Sequence, residues 1–133
     1  MKRLLTLIAS LFILCSAQAS DVKVEAVIAV DGDTKPATSF ASDTPKLHAF
    51  FRSKGTEKGD KLRGVWIAED VGDAAPANTK IDEATVTANE DNFHGAFSLS
   101  KPTKGWPVGK YKVEIYDEDE LVATVRFTIT AGK

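Results

Sequence analysis

Two histidines are the residues of this chain best suited to chemistry. His48 alternates with Leu47 and Ala49, and His94 with Phe93 and Gly95, so both imidazoles point away from an apolar face. Brought together on one sheet surface, they would offer two nitrogens to copper or zinc. Two ligands are few for such a site, and no H-x-H or H-x₃-H spacing adds another. The same pair also suits a contact surface. Phe50 lies beside His48 and faces outward by alternation, and Tyr116 faces opposite to Tyr111 and Ile115. Exposed aromatic residues of this kind are enriched at protein interfaces. His48, Phe50, His94 and Tyr116 are therefore the expected binding residues, with His48 and His94 as the alternative metal pair.

Other chemistries lack their residues. There is no G-x-S-x-G, and no spacing marks Ser39, Ser42, Ser98 or Ser100 as an activated nucleophile. Asp117, Glu118, Asp119 and Glu120 form one acidic run, and Asp31-Gly32-Asp33 another short one, but no D-x-D-x-D-G loop is present to collect the six to eight oxygens of a calcium site. Nothing marks two carboxylates held at a glycosidase separation. The chain is expected to be no enzyme and to need no cofactor.

The surroundings of these residues start with a leader. Lys2 and Arg3 precede an apolar run from Leu4 to Leu14, and Ala17-Gln18-Ala19 has the small-x-small form of a cleavage site. Residues 1–19 thus form a secretory signal peptide, too short to span a membrane. Cys15 follows Leu14, where a lipobox wants a small residue, so the leader predicts cleavage rather than lipidation. Without it the chain keeps 15 basic and 19 acidic residues, a net charge of −4, and neither the single cysteine nor the single methionine. A negative domain with no disulfide must depend on its core, and it is a poor partner for nucleic acid. No later segment is long and apolar enough for a membrane span. The expected location is the bacterial periplasm or the extracellular space.

From Val22 on, the apolar period is two. Val22, Val24, Ala26, Ile28 and Val30 alternate with Lys23 and Glu25; then come Leu47, Ala49 and Phe51; Leu62, Gly64, Trp66 and Ala68; Phe93, Gly95, Phe97 and Leu99; Tyr111, Val113 and Ile115; and Leu121 to Ile129. Residues 81–89, centred on Thr85-Val86-Thr87, also suit a strand. All five prolines fall outside these runs. About seven strands over residues 20–133 predict one all-β domain, an antiparallel β-sandwich. The first strand would lie at a sheet edge, open to strand addition. Lys54, Lys58, Lys61 and Arg63 gather around the loop after the second strand, diluted by Glu57 and Asp60.

Two details resemble immunoglobulin-like domains. Gly109-Lys110-Tyr111-Lys112-Val113 is similar to a tyrosine corner, and Trp66 stands in the third strand, where such domains carry a core tryptophan. The stretch from Trp106-Pro107-Val108-Gly109 through Tyr116, an acidic turn and Leu121 to Phe127 resembles a motif of bacterial secreted immunoglobulin-like domains. That resemblance implies structural roles for Trp66, Gly109 and Tyr111, and Trp106 is expected to cap one end of the sandwich. It implies no activity, since function does not follow from fold. The expectation is a binding module that contacts a protein of the envelope or the extracellular space, an inhibitor of a hydrolase being one concrete form.

Overall fold

The alternating pattern becomes two packed antiparallel sheets in a computed structural model that describes residues 22–30 and 35–131. The signal peptide expected at residues 1–19 and the Asp31-Gly32-Asp33 turn lie outside the described residues. The strands are β1 (Lys23–Val30), β2 (Ser39–Ala41), β3 (Lys46–Lys54), β4 (Lys61–Asp70), β5 (Thr79–Thr87), β6 (His94–Ser100), β7 (Gly109–Asp117) and β8 (Glu120–Thr130). One sheet has the order β1-β3-β6 and the other β2-β8-β7-β4-β5. The fold is an immunoglobulin-like sandwich.

Two features differ from the seven-strand expectation. β2 is an additional strand of three residues, paired parallel to β8 with Phe40 opposite Ile129. It carries one buried apolar residue, Phe40, and so has no period to detect. β5 forms a hairpin with β4 and stays in the larger sheet. In a constant-type immunoglobulin domain the corresponding strand crosses to the sheet of the first two. The crossing here comes later, in residues 88–93, and it leaves β6 as an edge.

The core lies between the sheets. Ile28, Leu47, Ala49, Phe51 and Phe97 come from the smaller sheet, and Leu62, Trp66, Tyr111, Val113, Ile115, Phe127 and Ile129 from the larger. Aromatic rings meet in sequence: Tyr111 stacks on Phe127 at 5.2 Å, and Trp66 meets Phe127 edge-on at 6.2 Å. Trp106 is buried against Tyr111, and its indole N–H donates to the Thr44 carbonyl at 2.8 Å. This ring closes one end of the core. The Tyr111 hydroxyl donates to the carbonyl of Pro107, four residues upstream, which is the hydrogen bond of a tyrosine corner. Burial pushes the Tyr111 phenol up to about 12.

Gly109 opens β7 at a φ of +152°, and a Cβ there would stand 2.3 Å from the Asp70 carbonyl oxygen. Only glycine lets β7 start this close to the end of β4. β4, an interior strand of its sheet between β7 and β5, is covered on both sides. Trp66 faces the core, while Val65 on the outer side is also buried.

Candidate contact face

The outer face of β1, β3 and β6 is built from cross-strand rows. Glu25, Arg52 and His94 form one row, Val27, Phe50 and Ala96 the next, and Ala29, His48 and Ser98 the third. The middle row is an apolar stripe across the whole sheet. Val27 is 42% exposed and Phe50 40%. Those values matter because a large apolar side chain gains little by being left in water. A shallow depression of about 610 Å³ follows the first two rows. His48 stacks on Phe50 with ring centroids 5.4 Å apart, which holds the phenyl ring beside the stripe.

The end of this face that carries His94 is anchored by a small buried polar cluster. The Ser53 hydroxyl donates to the Phe93 carbonyl at 2.6 Å. It also shares a 2.7 Å hydrogen bond with the Thr56 hydroxyl, which in turn accepts from the Phe93 N–H at 3.1 Å. Asn92 sits in the left-handed region at φ +51°, which its short polar side chain tolerates, and its side-chain oxygen accepts from the Gly55 N–H at 2.9 Å. These bonds tie the β3–β4 loop to the start of β6, so the position of His94 is set by residues the apolar pattern does not mark.

Charge separates the two sheets. β1, β3 and β6 carry Lys23, Lys46, Arg52 and Lys54 against one acid, Glu25. The Arg52–Glu25 approach is 4.0 Å between side chains that are both mostly exposed, which is worth little. Lys23 and Lys54 stand directly opposite each other, an unfavourable like-charge pair.

The outer face of the larger sheet is compensated within itself. Lys112 lies 3.8 Å from Glu69 and 3.2 Å from Glu114, and Arg126 lies 3.2 Å from Glu69. The Tyr116 hydroxyl donates to Glu114 at 2.9 Å, and the Arg63 guanidinium sits over the Tyr116 ring at 4.4 Å. Arg63 continues to Glu83 at 3.7 Å. The hydrogen bond to Glu114 raises the Tyr116 phenol above its ordinary value, with smaller upward contributions from burial and the Glu114 charge and a downward one from Arg63.

The structure therefore divides the four residues expected to bind. His48, Phe50 and His94 share the outer face of the smaller sheet, while Tyr116 belongs to the ion-pair network on the other sheet. A single patch of all four is not formed. The two histidines share a face without sharing a site. His94 is opposite Arg52, four residues along β3 from His48, a separation of about 13 Å at ~3.3 Å per residue. The Phe50–Ala96 row lies between them, so one ion cannot be held by both imidazoles. Among the described residues, no group of three or more His, Cys, Asp or Glu is arranged to hold a metal ion.

Val27, Arg52 and Ala96 complete the face and were not singled out by residue type. Alternation alone turns each of them outward, since Ala26, Phe51 and Phe97 turn inward. At the hairpin between β7 and β8, burial pushes the Asp117 carboxyl above the usual range, followed by the charges of Asp60, Glu118 and Glu120. Among the described residues no helix is long and apolar enough to cross a membrane.

Neither a protein-family model nor a curated protein sequence matches the chain. Solved structures do resemble it. An immunoglobulin-like protein from Pseudomonas aeruginosa aligns with a TM-score of 0.55 at 15% identity, over 83% of this chain and 97% of that one. The chain also aligns with 32% of an alkylpurine DNA glycosylase from Pseudomonas fluorescens, with a TM-score of 0.51 and 13% identity over 87% of this chain. It aligns with 17% of a β-glucosidase from Listeria innocua, with a TM-score of 0.51 and 12% identity over 86% of this chain. In the last two it spans only a fraction of the larger protein. At these identities the likeness defines the class of fold, an immunoglobulin-like domain, and carries no activity with it.

Proposed function

We propose that the protein is a non-enzymatic binding module of the bacterial periplasm or extracellular space, and that it contacts a protein partner through the outer face of β1, β3 and β6. The observation that carries this reading is the exposed Val27–Phe50–Ala96 row, flanked by Arg52 and His94. An apolar row bordered by exposed polar and charged side chains is the composition of an interface core and its rim. The opposite face supports the choice by contrast, because its charged groups already have partners. The Lys-Arg leader and the likeness of the Trp106–Phe127 stretch to secreted bacterial domains support the location.

The test is mild cross-linking of the tagged protein in its native envelope fraction, followed by affinity capture and mass spectrometry. One abundant partner is expected, lost in Phe50→Ala and retained in Tyr116→Ala. Loss in Tyr116→Ala alone would move the interface to the other sheet, and equal recovery with all three proteins would remove the contact face as the explanation.

A further inference from the structure

Among the described residues, the outward backbone groups of the β6 edge have no strand partner. The Ser53 N–H donates to Phe93 and the Lys101 N–H to Pro45. With the antiparallel register, this alternation turns the N–H and C=O groups of Gly95, Phe97 and Leu99 toward β3. The groups of His94, Ala96, Ser98 and Ser100 then point away from the sheet, and no described residue pairs with them. The other free edges are treated differently. On β1 the Ile28 carbonyl accepts from the Ala37 N–H at 3.0 Å. β5 carries Lys80, Asp82 and Glu83, charges that discourage pairing. β6 reads His-Gly-Ala-Phe-Ser-Leu-Ser, with no Lys, Arg, Asp, Glu or Pro and only small side chains at 96, 98 and 100.

We propose that β6 receives an extended acidic segment of the partner protein as an added fourth strand, with carboxylates directed to the cationic end of the face formed by Lys23, Arg52 and Lys54 beside His94. The inference rests on the contact face proposed above and names what it takes. Main-chain hydrogen bonds along 94–100 supply attachment, and the side chains that alternate onto the outer face supply selection. The choice of an acidic segment follows from charge. A second depression of about 440 Å³ is lined by Lys23, Arg52, Lys54 and His94 with Glu25 as its one acid. Lys23 and Lys54 stand opposite each other, a repulsion that a carboxylate would relieve. A second copy of this chain would instead bring another uncharged edge and leave those cations unmatched.

The experiment selects random nine-residue peptides on the immobilised protein and measures the winners by titration. Peptides with Asp or Glu at alternating positions are expected, and amide exchange at Ala96 and Ser98 should slow when they bind. Ser98→Pro removes an outward N–H while leaving the bonds to β3, and should abolish binding. Arg52→Glu with Lys54→Glu alters only exposed charge, and should weaken binding roughly tenfold or more. Winners without acidic bias, undiminished binding to Ser98→Pro, failure to select any peptide, or a dimer closed through β6 in sedimentation would each overturn the proposal. If Phe50→Ala loses the envelope partner while Ser98→Pro and the double charge variant keep it, strand addition fails and the contact face stands. If none of these variants loses the partner, both fail.

Discussion

Gly64 of β4 and Phe97 of β6 touch across the interior, so closely that a Cβ on Gly64 would lie 2.6 Å from the Phe97 ring. Phe97 has little room to yield, because it stacks on Phe51 with centroids 5.3 Å apart. The two sheets approach at this point because one side contributes no side chain. Gly64→Ala is expected to cost about 1–3 kcal/mol by overpacking, measured by chemical denaturation. It should also disturb β6, visible as faster amide exchange at Phe97 and Leu99, whose N–H groups face β3. An unchanged denaturation midpoint would mean the ring can move aside.

Tyr111→Phe removes the hydroxyl that donates to Pro107 and leaves that carbonyl without its partner. The variant should fold and lose about 1–3 kcal/mol at neutral pH. Parent stability would show that water replaces the bond without loss.

The same residue sets an alkaline limit. Folded Tyr111 holds its proton to about 12, against 10.0 when unfolded. Between those values the unfolded state binds fewer protons, so stability should be full below about pH 10 and fall as pH rises toward 12. Denaturation curves across that interval should flatten in Tyr111→Phe. The same slope in both proteins would assign the loss to other groups.

Lys112 stands between Glu69 and Glu114 and is mostly covered, with 16% of its side chain exposed. Lys112→Met leaves two carboxylates facing each other and should cost on the order of 1 kcal/mol. The loss should shrink in high salt, where the remaining repulsion is screened. No loss at low salt would mean that the network adds nothing to stability.

Copper or zinc should not find a shared site at His48 and His94, which lie four register positions apart. Titration should give only weak binding, and the effects of His48→Ala and His94→Ala should add independently. Stoichiometric tight binding lost equally in either variant would require a different arrangement of β3 and β6.

Most strands were legible because one face of each is apolar, and β5, which is exposed along nearly its whole length, was legible from its Thr85-Val86-Thr87 composition. Alternation also identified the outward side of Phe50 and Tyr116. It could not say which sheet each outward side belongs to, since that depends on where the chain crosses between sheets. β5 pairs with β4, so β6 became an edge, and β7 lies between β4 and β8, so Tyr116 ended on the opposite face from Phe50. The Ser53–Thr56–Phe93 cluster was silent for another reason. Two small hydroxyls in a polar loop give no periodic signal, and only the fold reveals that they are buried.

β2 and β8 join Phe40 to Ile129, and Thr130 returns to the Phe40 carbonyl, 90 residues away, through its hydroxyl at 3.4 Å. Contacts of such sequence separation form late and slowly. The sandwich therefore cannot shut until its last strand has been delivered. A nascent chain would keep Phe127 and Ile129 away from their partners until β8 has emerged. Folding is timed by β8, and a chain stopped before Glu120 would present β7 as a bare edge and be prone to aggregation.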